Sequence, residues 1–254
     1  MRRLLASTLF LARQPVFSTP LRQTAPPPST TLSPQPTVQH ASYTSSTGVR
    51  HSSMAAGEDK PKPFIVRFYG VEAAKDGEGR SLEDILRFED NELEYHHDYI
   101  QVLFPLPEPS PINPDAPIIK KGTRTAFVEN EELRKQLFRA FNHMANFYAF
   151  NVKGDAAAPV LEPKPDFRKL AQNTWLTRMD HNHLRITRII RCLRVLGLEA
   201  TAQAFHQALQ DNAEGVSSRS LMYWERAATR SLHLPPSEDN ENACGVAWLK
   251  PAED

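Results

Sequence analysis

Apolar side chains recur every three to four positions through most of the chain beyond residue 60, and strand-like alternation is scarce. That is the pattern of helices packed by one face. The clearest stripe is Leu133, Leu137, Phe141, Met144 and Tyr148, widened by Phe138, Ala145 and Phe147. It lies on one side of about five turns. Asn130 precedes it as a predicted N-cap, and Gly154 with the following Ala-Pro stretch ends it. A second stripe, Ile186, Ile189, Ile190, Leu193 and Leu196, predicts a helix capped by Asp180 or Asn182 and stopped by Gly197. Leu198, Ala202, Phe205 and Leu209 open another helix at once, so an antiparallel pair around a short turn is expected. Shorter helices are predicted after the Ser81–Asp84 capping box, over Glu92 to Leu103, from about Asp166, and near Ser220 to Thr229. In the helix from Asp166, Phe167, Leu170, Ala171 and Thr174 face inward, with Trp175 at the edge; in the last helix, Leu221 and Trp224 carry the apolar side. The expected fold is all-α: an irregular multi-helix bundle with a proline-rich crossover loop and a disordered N-terminal arm. The division is an arm over 1–60 and a helical domain over 61–250.

Two segments break the helical pattern. FPLPEPSPINPDAP holds six prolines between Pro105 and Pro117, so it is read as a stiff, extended crossover or as a recognition segment. Residues 1 to about 60 are rich in Ser, Thr, Pro and Gln, a composition that buries too little apolar area to order itself. The opening MRRLLASTLFLAR is basic and free of acids, as in a mitochondrial transit peptide. A secretory signal with a short apolar stretch, and an arm with no address, are the alternatives. A start at Met54 would remove the arm.

Charge sharpens this division. The first 57 residues hold five arginines, Arg2, Arg3, Arg13, Arg22 and Arg50, and no Asp, Glu or Lys. From Glu58 onward 25 basic side chains face 30 acidic ones, an excess of five negative charges. A body of that sign does not suit nucleic acid as the main ligand. No stretch reaches the roughly 18–20 apolar residues that span a bilayer, so membrane association would be peripheral. The two cysteines, Cys192 and Cys244, form no C-x-x-C pair, and Cys192 falls within an apolar helical stripe, where a buried inert thiol is expected.

The chemistry-bearing groups are few. Histidines cluster at His96-His97-Asp98 and His181-Asn182-His183, but adjacent and i+2 positions point to different sides of a helix and do not make a metal set. No nucleophile elbow, P-loop or dinucleotide turn is present, and no metal or cofactor is expected. Glu83-Asp84 and Glu131-Glu132 sit at helix starts, where the dipole favours them. An enzyme would need His97, Asp98 and His183 to converge on one pocket, and the reading is instead of a binding protein. The most unusual feature is Arg185, Arg188, Arg191 and Arg194, a basic ridge along one helix. It is either a solvated face with acidic partners or a site for an acidic peptide, carboxylate or phosphate. Arg185 and Arg188 lie nearest the positive end of the helix. The candidate contacts are therefore Arg185, Arg188 and Arg191, the polar entry His181, Asn182 and His183, and Tyr99 and Gln101 upstream.

HNHLRITRIIRCLRVLGLEA resembles the HN-x-LRITRI segment of the opioid growth factor receptor family, and HDYIQVLFPLPEPSPIN resembles the family's H-x-YIQWLFPL-x-EP segment. RFYG at Arg67 to Gly70 resembles the aromatic motif that opens the same region. The likeness runs from about Phe64 to Tyr223. It implies an all-helical domain, receptor activity for the opioid growth factor (a Met-enkephalin pentapeptide), a membrane-associated and nuclear or perinuclear location, and no catalytic residues. Val102 stands where the family commonly has Trp, the N-terminal arm is additional, and the long acidic repeats of the vertebrate members are not part of this sequence.

Overall fold

The computed structural model describes residues 61–111 and 113–251, and these are mostly helical. The predicted N-terminal arm and its presequence reading lie outside the described residues. The chain enters after Pro63 with α1 (Phe64–Tyr69), which buries Ile65, Val66, Phe68 and Tyr69. The Tyr69 hydroxyl, fully enclosed, donates to the carbonyl of Leu103. Next, α2 (Leu82–Ile85) opens on the predicted capping box: Asp84 N–H donates to Ser81 Oγ at 3.3 Å, and Ser81 N–H to Asp84 Oδ2 at 2.9 Å.

The single helix expected over Glu92 to Leu103 is two. α3 (Asp90–Tyr95) and α4 (Tyr99–Leu103) are separated by His96-His97-Asp98, with His96 extended. The carbonyls of Leu93, Glu94 and His96, left without helical partners at this break, accept from Arg185. The guanidinium takes the place of the missing helical donors. The proline loop then departs from a plain surface crossover: Phe104, Pro105 and Pro107 are buried, and Ile119 N–H donates to Leu106 O at 3.0 Å across a parallel bridge.

A further helix that the pattern did not predict, α5 (Lys121–Glu129), buries Thr123 and Phe127. The long stripe forms α6 (Glu131–Phe147), and Asn130 Oδ1 accepts from Glu132 N and Leu133 N at 2.9 and 3.3 Å. Beyond it the helical expectation gains a small hairpin, β1 (Phe150–Lys153) antiparallel to β2 (Val160–Pro163), with Phe150 opposite Pro163. Gly154 turns the hairpin at φ +79°, where an added Cβ would come within 2.5 Å of Ala158 O.

The rest of the core is built around α8. After α7 (Phe167–Gln172), Trp175 is fully buried rather than at an edge. Its indole N–H donates to Tyr148 O at 3.1 Å and its ring lies 5.8 Å from Trp224. α8 (Asn182–Val195) buries Ile186, Ile189, Ile190, Cys192 and Leu193 as expected, and Gly197 follows at φ +89°. α9 (Glu199–Asn212) and α10 (Ser218–Thr229) pack directly on α8. Phe205 of α9 meets Phe141 of α6 edge to face at 5.2 Å. A last 3-10 turn, Ala247–Leu249, docks through Leu249, with Trp248 partly covered.

Candidate functional site

The four arginines of α8 do not form an open ridge. Arg185 is 5% exposed and threads between α3 and α4. Its Nη1 donates to Leu93 O at 2.7 Å and Asn182 Oδ1 at 3.2 Å; its Nη2 donates to His96 O at 2.8 Å and to His97 Nδ1 at 2.9 Å. The guanidinium carbon stands 5.6 Å from the ring centroid of Tyr99. Arg188, half-buried, donates to Phe104 O at 3.0 Å, and burial lowers its pKa from the ordinary value. Arg191 is 2% exposed. It pairs with Glu108 of the proline loop and donates to Leu232 O at 3.1 Å and Leu234 O at 3.3 Å. Arg194 pairs with Glu199 at 2.9 Å and donates to Ala227 O and Arg230 O at the end of α10. Each guanidinium thus fastens α8 to a different distant segment.

The entry to α8 is similarly woven in. Asn182 is buried: its amide donates to Thr174 O and Glu94 Oε2, both at 3.0 Å. His183 Nε2 lies 2.7 Å from Trp175 O and Nδ1 lies 2.8 Å from Ser220 Oγ. A carbonyl only accepts, so Nε2 carries the proton, and in the neutral ring Nδ1 accepts from the serine hydroxyl. Tyr99 is buried and donates to Leu93 O at 2.9 Å. Gln101 is half-buried, and its Oε1 is enclosed without a hydrogen-bond partner. His181 is exposed, between Glu94 and Asp180 at 3.3 Å each, and its ring lies 5.4 Å from that of His97. Burial and the Arg185 charge lower the His97 pKa. His97, Asp98 and His183 engage different partners: Arg185, Arg80, and the Ser220–Trp175 pair. Among the described residues no group of three or more His, Cys, Asp or Glu is placed to hold a metal ion.

The sequence reading singled out none of the large apolar side chains that stay accessible here. Leu184 is 68% exposed, Met179 73% and Tyr95 79%. Leu184 stands off the isoleucine stripe, so its exposure follows from the periodicity. Tyr95 and Met179 had no such signal, because the break after α3 and the turn before α8 are tertiary features. Beside this corner a cleft of about 240 Å³ is lined by Asp90 and Glu94 of α3, Asn146 of α6, and Lys164, Asn173 and Thr174.

Fold and corner together define a helical module organised around one arginine-clamped helix, with apolar side chains displayed at that helix's entry. Residues 59–226 match the model of the opioid growth factor receptor conserved region, and the chain belongs to that family. Relatives include the rat opioid growth factor receptor, 38% identical over 135 residues (52% of this chain, 23% of the relative), and the human receptor, 38% identical over 124 residues (48% and 18%). Rat opioid growth factor receptor-like protein 1 is 27% identical over 196 residues, covering 68% of this chain and 41% of the relative. The matched region therefore spans less than half the length of these relatives, which are named receptors rather than enzymes. No solved structure matches the chain.

Proposed function

We propose that residues 61–250 form a non-catalytic peptide- or protein-binding domain, and that its ligand is an opioid growth factor-like peptide such as Met-enkephalin. The observation that carries the reading is the set of exposed apolar side chains, Tyr95, Met179 and Leu184, around the entry of α8. Singly exposed apolar side chains are ordinary, but three on segments that meet at one helix entry favour a surface that a partner covers. The neighbouring cleft offers the Asp90 and Glu94 carboxylates for a peptide amine, and Asn146 and Asn173 for its backbone. His181 and Arg188 supply the accessible polar contacts. Tyr99, Gln101, Asn182, His183, Arg185 and Arg191 act by holding that corner in shape. The family membership supports the same reading, through the ligand that the receptors are named for.

Titration of fluorescein-labelled Met-enkephalin with the full-length chain tests it by polarisation. Saturable binding is expected below about 100 μM, and His181→Ala with Leu184→Asp weakens it by about tenfold or more while the far-UV spectrum is unchanged. Absence of saturation up to about 1 mM removes the named ligand. Full retention by the double variant removes the corner as the site.

A second reading, a structural or regulatory component of an organelle complex, is favoured by the acid-free, arginine-bearing opening segment. Mass spectrometry of the mature N-terminus separates the two: cleavage between about residues 20 and 57 supports import, and an intact Met1 or a start at Met54 counts against it. Among the described residues no helix is long and apolar enough to cross a membrane. A membrane-associated or nuclear location, as the family implies, would therefore involve these residues through a surface or a partner.

A further inference from the structure

A second cleft, of about 260 Å³, is formed by the start of α5 and the C-terminal segment. Arg124 of α5, Ser231 and Leu232 after α10, and Trp248, Lys250 and Pro251 line it, and among the described residues no acidic side chain does. The arginines of α8 all have acceptors, but Arg124 has none among the described residues: its Nε is enclosed without a hydrogen-bond partner, and its guanidinium is in no ion pair there. Lys250 is likewise in no ion pair among the described residues, nor are Lys120 and Lys121 at the start of the same helix. On a body with an acidic excess, a cleft lined by two unmatched cations is unusual. An enclosed donor without an acceptor is costly, so the guanidinium is held there unmatched, and its remaining N–H groups are the ones a bound oxyanion in the cleft would engage.

The number of charges narrows the ligand. Arg124 offers a planar fork and Lys250 a point charge, a combination that suits a phosphate ester carrying close to two negative charges near neutral pH. The Trp248 indole and the apolar Leu232 and Pro251 would cover an organic substituent rather than bare water. We propose that this cleft binds a phosphomonoester carried on an apolar or aromatic group. The assignment does not rest on the peptide reading of the α8 corner, because none of its residues lie there. The phosphate could belong to a small aryl phosphate or to a phosphorylated side chain; the recognition chemistry is the same.

Nitrogen-15 NMR on the full-length chain tests the proposal with phenyl phosphate, with a phosphotyrosine pentapeptide, and with phenol as the phosphate-free control. Phenyl phosphate is expected to shift the Arg124 Nε–H and Trp248 indole signals saturably at sub-millimolar concentration. Arg124→Gln with Lys250→Gln is expected to weaken this by about tenfold or more with the remaining spectrum preserved. Either relative affinity of the two phosphates supports the site: tighter phosphopeptide binding assigns the phosphate to a protein side chain, and equal or weaker binding assigns it to a small molecule. No saturable shift by about 10 mM overturns the proposal, as do equal binding of phenol and undiminished binding by the double variant. Binding that emerges only in Glu253→Gln with Asp254→Asn also overturns it, since the anion would then be the chain's own carboxylate.

Discussion

His206 lies on α9 and is 5% exposed, its Nε2 3.4 Å from Glu225 Oε2 without a formed hydrogen bond. Burial lowers its pKa below the ordinary 6.5, outweighing the glutamate's opposing pull, and burial does the same to His143 on α6. In the interval between the lowered folded value and the unfolded value, the unfolded chain binds more protons, so stability falls as pH drops below about 6.5. Thermal unfolding is expected to show a lower midpoint at pH 5.5 than at pH 7.5, and His206→Leu should shrink that difference; an unchanged difference assigns the slope to other groups. Cys192 provides a second check at this scale. Its thiol is fully buried, and burial raises its pKa despite Arg188 and Arg191 nearby, whereas Cys244 is exposed. Iodoacetamide at pH 8 should modify Cys244 in the native protein and reach Cys192 only in denaturant. The burial of Cys192 was legible, since it lies within the isoleucine stripe. The duties of the arginines beside it were not, because their acceptors come from segments about 40 to 90 residues away in sequence.

Elements announced by their own local chemistry were read best. Ser81 and Asp84 fix the start of α2, and Asn130 fixes that of α6, because a capping side chain satisfies backbone groups within three residues of itself. Asn130→Ala is expected to cost about 1 kcal/mol in urea unfolding, with an unchanged dependence on denaturant. Elements whose limits are set from a distance were misread. Nothing in Glu92 to Leu103 forbids a continuous helix; at the break, His96 O accepts from Arg185, which reaches in from α8. The start of α5 carries Lys120 and Lys121 rather than a capping residue, so no sequence signal marks it. Trp175 looked like an edge residue because its partners, Tyr148 just after α6, Phe150 of β1 and Trp224 of α10, come from other parts of the chain. The candidate site shows the same division. Leu184 could be placed outside by periodicity, but the burial of Arg185, Asn182 and His183 could not be foreseen from helix spacing alone.

For the molecule as a whole, the consequence is that α8 acts as a fastening post. Its stripe buries in the core while Arg185 holds α3 and α4, Arg188 the start of the proline loop, Arg191 that loop and the segment after α10, and Arg194 the end of α10. Arg185 carries the most acceptors, and they diverge in direction: Leu93 O, Glu94 O, His96 O, His97 Nδ1 and Asn182 Oδ1. A lysine ammonium keeps the charge but concentrates its donors at one point, so it cannot reach all of them; Leu93 O keeps the Tyr99 hydroxyl, but part-buried acceptors such as Glu94 O and His96 O lose their donor. Arg185→Lys is therefore expected to destabilise the protein by about 2–4 kcal/mol, as large as losing a partner from a buried charge network. The loss should also be localised before it is global. Amides from Leu93 to Gln101 should exchange with solvent faster than in the parent protein, while those of α6 and α9 stay protected until the whole domain opens. Uniform acceleration across all helices would mean that Arg185 contributes only to general stability. Protection lost first at α3 and α4 would establish it as the residue that shapes the corner where Leu184 and His181 are displayed.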